Sequence, residues 1–346
     1  MSVVIVTSDR CGLHQPPPGH PERPERYDAM SVVAGQWRDR GTPLIEPEPA
    51  THEQLARVHE ESYLEQLEQT AGRAVMLDPD TFTSPESWAV ATVAAGAAVR
   101  AVDSVLSGTA TRAVALIRPP GHHAEPSRAM GFCLLNNAAI AAAEALARGI
   151  ERVAIVDFDV HHGNGTQRAF LEDPRVLFVS THQWPYYPGS GHESEVGIGA
   201  GAGFTVNIPI EVGATDEDYD LVFRRVVVPI VTEFNPGLVL VSAGYDAHEL
   251  DPLGGMRMSQ AGYALLTRHL AAVADRASSG RLVLVTEGGY HLPALVASLD
   301  ASLRVLHEDD AGSVATAARP SSEPAVRGEE AVNRVRAIQA RYWRGL

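Results

Sequence analysis

Cysteine is nearly absent: Cys11 and Cys133 are the only two in 346 residues. Two thiols build neither a disulfide framework nor a thiolate zinc site, and their scarcity fits a reducing compartment. Positive charge is also scarce. Against 43 acidic residues stand 28 basic ones, for a formal net charge of −15. That balance argues against direct nucleic-acid binding, because phosphate contact demands the opposite sign. It suits cationic substrates, although spread-out surface charge accounts for most of the excess. The opening MSVVIVTSDR has too short an apolar run for a signal peptide, and no apolar stretch reads as long enough to span a bilayer. The expectation is a cytoplasmic protein with no membrane partner, its oligomeric state left open. No repeat period is present.

What the chain does have is a 45% hydrophobic content and a strand–helix alternation that runs without a linker to about residue 308. This predicts one large α/β domain, a mostly parallel sheet flanked by helices, with ligands held outside the carboxyl ends of the strands. Residues 1–306 form the expected catalytic domain. Residues 307–346 read as a polar excursion followed by a helix over Glu329–Arg344 that docks on the same domain.

The chain is organised around VAIVDFDVHHGNG, residues 153–165. Val153–Val156 is the apolar run of a strand buried on both faces. Asp157, Asp159 and His161 follow at spacing two, which along an extended chain aims all three the same way. Two carboxylates and an imidazole crowded at a buried strand end repel and desolvate one another unless a shared cation resolves the conflict.

Three more strands end in polar clusters. Ala113–Ile117 runs into Arg118-Pro-Pro-Gly-His122-His123, where paired histidines beside a turning loop suggest acid–base work. Leu238–Ser242 runs into Gly-Tyr-Asp246-Ala-His248. Leu282–Thr286 runs into Glu287-Gly-Gly-Tyr290, whose glycines let Tyr290 reach inward. Asp159, His161 and Asp246 then make a three-ligand site with open positions, the catalytic type. Mixed oxygen and nitrogen ligation suits Zn²⁺ and is compatible with Fe²⁺.

Elsewhere, CGLHQPPPGHPERPER at 11–26 reads as a loop too charged to be buried. Helices are expected over Tyr27–Trp37, Glu53–Gln69, Ser259–Ser278 and Asp216–Phe234. Ser84 is the expected N-cap of a helix ending near Gly108. Asp78–Thr83 reads as a loop whose Asp78 or Asp80 is a candidate substrate contact. Trp184–Gly191 is an aromatic loop at a pocket entrance. GIGAGAG at 197–203 has neither the preceding strand nor the following helix of a phosphate loop and reads as a flexible connection.

Five ordered stretches, RPPGHHA at 118–124, GFCLLNN at 131–137, VDFDVHHGNGTQ at 156–167, SAGYDAHELDPLGG at 242–255 and EGGY at 287–290, strongly resemble the histone deacetylase family. HPERPER at 20–26, HHGNG and EGGY are most similar to class II and bacterial deacetylase-like amidohydrolases, and the terminal QARYWRGL is similar to the ends of such proteins. The resemblance implies an arginase/deacetylase-type fold and zinc-dependent hydrolysis of an N-acetyl amide to acetate and free amine. It makes Asp159, His161 and Asp246 the zinc ligands, His122 with Asp157 one histidine pair, and His123 with Asn164 the other, His123 being the general base. It makes Tyr290 the donor to the substrate carbonyl oxygen. Gly131, Phe132 and Tyr187 become the acyl-lysine channel, and Asp157, Asp159, His161 and Ser180 the surroundings of a structural K⁺. The substrate is an acetylated lysine protein or peptide, or an acetylated small amine such as a polyamine. An arginase-like dinuclear ureohydrolase would want further Asp residues at Gly163 and His248. A non-enzymatic acyl-lysine reader fits poorly with a full set of reactive residues.

Overall fold

The structure is a computed structural model and describes residues 2–308 and 324–346. Its strands are β1 (Val3–Val6), β2 (Leu44–Ile45), β3 (Val75–Asp78), β4 (Thr81–Thr83), β5 (Arg112–Ala115), β6 (Val153–Asp157), β7 (Val176–Gln183), β8 (Thr205–Ile210), β9 (Leu238–Ala243) and β10 (Leu282–Thr286). Eight of them form one sheet in the order β2-β1-β5-β10-β9-β6-β7-β8, and every pairing is parallel. A parallel sheet is covered by helices on both faces, which is why its strands read as unbroken apolar runs. VAIVD, LVLVSA and LVLVT are buried along their whole length.

The strand order is what makes the site. In sequence the four polar strand ends are spread over some 170 residues, after β5, β6, β9 and β10. In space those strands are immediate neighbours, β5-β10-β9-β6, so all four clusters emerge side by side.

Several local expectations need correction. The charged loop at 11–26 is partly buried: Cys11, His14, Glu22 and Arg26 are inside while Arg23 and Glu25 are exposed, and Asp9–Leu13 is a short 3₁₀ turn. Glu53–Gln69 splits into His52–Ala56 and Glu61–Glu68, because carbonyls of Glu125 and Pro126 engage the His59 ring and the Glu60 N–H between them. Asp78–Thr83 is no simple loop but the turn and second strand of an antiparallel β3–β4 hairpin. The long apolar helix begins at Ser87, and Ser84 is not its cap; instead the Ser84 N–H donates to the Ser87 hydroxyl. That helix, Ser87–Leu106, is also long and apolar enough to cross a membrane by length and composition, contrary to expectation. Its small side chains are largely buried in the core.

Asp216–Phe234 is continuous but widens into a π turn at Phe223–Val227. GIGAGAG is a tightly packed turn: a Cβ on Gly201 would sit 2.4 Å from the Leu171 carbonyl oxygen. The last helix spans Val326–Gln339 and buries Ala331, Val332 and Val335. Gln339 Nε2 and Trp343 Nε1 tie this segment to the Thr205 and Gly203 carbonyls. Most of the expected polar excursion, 309–323, lies outside the described residues.

Candidate active site

β6 stops at Asp157, so the alternation expected to align Asp157, Asp159 and His161 ends there. Instead each carboxylate turns back on the chain: Asp157 Oδ1 accepts from the Asp159 N–H at 3.0 Å, and Asp159 Oδ1 from the His161 N–H at 2.9 Å. Asp157 is thereby aimed at His122, whereas Asp159 and His161 meet Asp246 from the end of β9. Ligand atoms of Asp159, His161 and Asp246 all lie within 4.8 Å of one another. Asp159 Oδ2 accepts from the Gly288 N–H and Asp246 Oδ1 from the Val160 N–H. Asp246 Oδ2, fully buried, lies 3.3 Å from His161 Nδ1 and makes no well-aligned hydrogen bond.

Three glycines let the backbone close on this cluster. An added Cβ would come within 2.2 Å of Asp157 Oδ2 at Gly163, 2.0 Å of Asp159 Oδ2 at Gly244 and 2.1 Å of Asp246 Oδ2 at Gly288. Burial and the Asp159 charge push the Asp246 carboxyl up to about 7. Burial opposes charge on His161, but its contacts with Asp159 and Asp246 override that and raise it to about 10. A buried carboxylate oxygen without a well-aligned hydrogen bond, beside a second carboxylate and an imidazole, belongs to a ligand set that fits a divalent cation.

The two adjacent histidines have opposite surroundings. His122 Nδ1 lies 2.9 Å from Asp157 Oδ2; burial disfavours its charge, yet Asp159 and Asp157 raise it to about 10. His123 Nδ1 lies 2.8 Å from Asn164 Oδ1. Burial and the neighbouring His122 and His161 hold it well below the ordinary histidine value. Asn164 in turn donates to Glu125 Oε1 at 2.9 Å, which fixes its oxygen toward His123. The backbone of the pair hangs on Glu287, which accepts from the Gly121 and His122 N–H groups and which burial raises to about 7.

A cavity of about 150 Å³ opens over the cluster, lined by Asp80, His123, Gly131, Phe132, His161, Tyr186, Tyr187, Leu253 and Tyr290. Gly131 must be glycine, since it has φ 56° and its Cβ would fall 2.4 Å from the His123 ring. The Thr81 hydroxyl accepts from the Phe132 N–H, so the β3–β4 hairpin braces this wall. Tyr187 meets the His123 ring edge-on at 5.2 Å. Burial holds the Tyr290 hydroxyl well above its ordinary range, with Arg26 opposing.

The fold brings Asp159, His161 and Asp246 together and puts His123, Gly131, Phe132, Tyr187 and Tyr290 around the cavity, with Asp157 and Asn164 hydrogen-bonded to the two histidines. Asp80 lines the cavity; Asp78 stands behind it and accepts from the Asp80 N–H. Ser180 pairs with Asp157 in the sheet, its hydroxyl 2.9 Å from His182 Nδ1. His248, where a second metal would need an Asp, is outside the ligand cluster. Three further contributors have no role assigned from the sequence, and a fourth, Tyr186, belongs to the aromatic loop expected at the pocket entrance. Tyr186 stacks on the His161 ring at 5.5 Å. Arg26 lies 4.8 Å from the Tyr290 ring centroid and donates to the Glu287 and Gly289 carbonyls. Glu22 bridges Arg26 and Arg118. Leu253 forms part of the wall. Only the aromatic loop carried a local signal for its role.

A family model described as the histone deacetylase domain matches residues 20–306. A probable deacetylase of Archaeoglobus fulgidus is 38% identical, over 98% of this chain and 98% of that one. The histone deacetylase-like amidohydrolase of Pseudomonas aeruginosa is 40% identical over 81% of this chain and 75% of its own. The human polyamine deacetylase HDAC10 is 37% identical over 94% of this chain, which spans 50% of that protein. Among solved structures, the crystal structure of the HDA15 HD domain superposes with a TM-score of 0.91 at 36% identity, covering 99% of this chain and 95% of the other.

Proposed function

Since this chain belongs to the histone deacetylase family, we propose that it is a zinc-dependent amidohydrolase that removes acetyl or similar short acyl groups from the side-chain amine of lysine in a protein or peptide. The observation that carries the reading is one small cavity shared by three groups: His161 of the ligand cluster, the neutral His123, and Tyr290. Asp159, His161 and Asp246 would hold the ion, Zn²⁺ by donor set and Fe²⁺ as the compatible alternative. Bound there, a divalent ion supplies Lewis-acid polarisation of the amide carbonyl and brings the pKa of a water toward neutrality.

The chain's own groups do the rest. His123, kept uncharged, accepts the proton of the attacking water, and Asn164 orients its ring. Tyr290, held protonated by burial, donates its hydroxyl hydrogen to the developing oxyanion. A protonated histidine of the His122–His123 pair returns a proton to the leaving amine, with Asp157 orienting His122. Gly131, Phe132 and Tyr187 line the alkyl chain on its way in. We assign residues 1–306 to catalysis and a structural K⁺ to the underside of the loop, beside Asp157, Asp159, His161 and Ser180.

Deacetylation of an acetylpolyamine is the second reading, favoured by the similarity to a polyamine deacetylase and by the Asp80 carboxylate at the cavity, which could meet a distal ammonium. The test is turnover of acetyl-lysine peptides, longer acyl-lysine peptides and acetylspermidine, with metal content measured alongside. Acetyl-lysine turnover that disappears with chelators or hydroxamates supports the first reading. Preference for acetylspermidine moves the assignment to the second, and no turnover of any of them rejects both.

A further inference from the structure

Asp251 lies next to the cavity without lining it, is only 6% exposed and belongs to no ligand cluster. Its Oδ2 accepts from the backbone N–H of Tyr290 at 2.6 Å and of His291 at 3.0 Å. Its Oδ1 accepts from the N–H of Leu253 at 3.0 Å. The Tyr290 segment needs such an anchor. It follows Gly289 at φ 122°, and the helix it leads into, Leu292–Leu306, has no side-chain N-cap of its own. Leu253 is held from the other side by the Tyr186 hydroxyl, which donates to its carbonyl at 3.2 Å.

We propose that Asp251 is a positioning residue that sets two walls of the cavity at once, one carboxylate oxygen fixing the backbone of Tyr290 and the other fixing Leu253. A carboxylate suits this task because it offers acceptors in both directions, and charge-assisted bonds to N–H groups are the strong ones. An amide offers one uncharged oxygen and sets its NH2 against a backbone N–H on the other side, so Asp251→Asn weakens the hold on both segments. This inference rests on Tyr290 being the oxyanion donor.

The test is a double-mutant cycle on the metal-loaded protein with an acetyl-lysine peptide. If Asp251 acts through Tyr290, Asp251→Asn lowers kcat about tenfold in the parent and less than about twofold in the Tyr290→Phe background, because the two act as a unit. KM rises by a similar factor in both backgrounds through the loosened Leu253. Equal losses of kcat in both backgrounds would overturn the proposal and reduce Asp251 to a general packing role. Should Asp251→Asn not fold, Asp251→Ser, also with a single acceptor, carries the same expectation. Hydrogen exchange of the Tyr290 and His291 amides gives a readout that needs no turnover. Faster exchange there in the Asp251 variant, at unchanged exchange of the β6 amides, supports the positioning role even if the parent hydrolyses none of the acyl amines. Unchanged exchange refutes it.

Discussion

The cavity has two walls of opposite character. On the β6–β9 side, acceptors outnumber donors: two buried carboxylates and an imidazole share a few ångströms, and one carboxylate oxygen makes no well-aligned hydrogen bond. On the β10 side, the demand is met. The carbonyls before Tyr290 receive Arg26, its N–H reaches Asp251, and Glu22 neutralises one of two buried guanidinium groups. An unsatisfied wall is a place for something to bind, since buried polar atoms otherwise find partners. A satisfied wall holds one hydroxyl still, which is what an oxyanion donor requires. The comparison separates a site that receives charge from a site that meets charge developing on the substrate.

Removing a ligand from the first wall should have the largest effect. Asp246→Ala is expected to lower kcat/KM by about 10³-fold or more and to reduce bound metal in parallel, since several kcal/mol of charge stabilisation leave with it. Substantial activity at unchanged metal content would erase the distinction between the walls. On the second wall, Tyr290→Phe should lower kcat about 10²–10³-fold with KM and metal content little changed. A rise in KM at constant kcat would make Tyr290 a binding group.

Beneath that wall, Glu22→Gln leaves two fully buried arginines without their shared counter-charge. A cost of about 3–5 kcal/mol in urea unfolding is expected. A loss under about 1 kcal/mol would mean that this wall is less tightly constrained than its hydrogen bonds imply. The smallest effect is a change of pH profile at the boundary between the walls. Asn164→Asp places a negative charge beside His123, favours the imidazolium and raises its pKa by about one unit or more. More alkaline solution is then needed to empty the base, so the acid limb of kcat/KM moves to higher pH. The limb belongs to the coupled histidines together. An unmoved or acid-shifted limb at constant metal content would withdraw His123 as the base.

The two walls also differ in how plainly they are written in the chain. Asp157, Asp159 and His161 are local, and Asp246 announces itself by following a buried apolar strand, so the first wall was legible once a parallel sheet was assumed. Even there strand alternation does not set the side chains; Asp-to-N–H turns beyond the strand do. The second wall was mostly hidden. HPERPER looks like a solvated loop because its charges resemble surface charges, and the Arg118 that neutralises Glu22 is 96 residues away. Asp251 sits in a Pro-Gly turn with nothing local to mark it, 39 residues from the Tyr290 N–H it holds. Tertiary contacts likewise overrode pattern at Glu53–Gln69, where the break answers to Glu125 and Pro126. Long-range charge pairing and side-chain-to-backbone anchoring leave no periodic trace.

The glycines that close on the carboxylates carry a consequence for reading related chains. Gly163, Gly244 and Gly288 each leave no room for a methyl group beside a carboxylate oxygen. Drift at any of them, to something as small as alanine, would displace Asp157, Asp159 or Asp246 while leaving every ligand letter in place. Such a chain would pass an inspection of its ligands and still be silent. Judging whether a descendant of this scaffold remains an enzyme therefore means checking the residues that have no side chain as carefully as those that do.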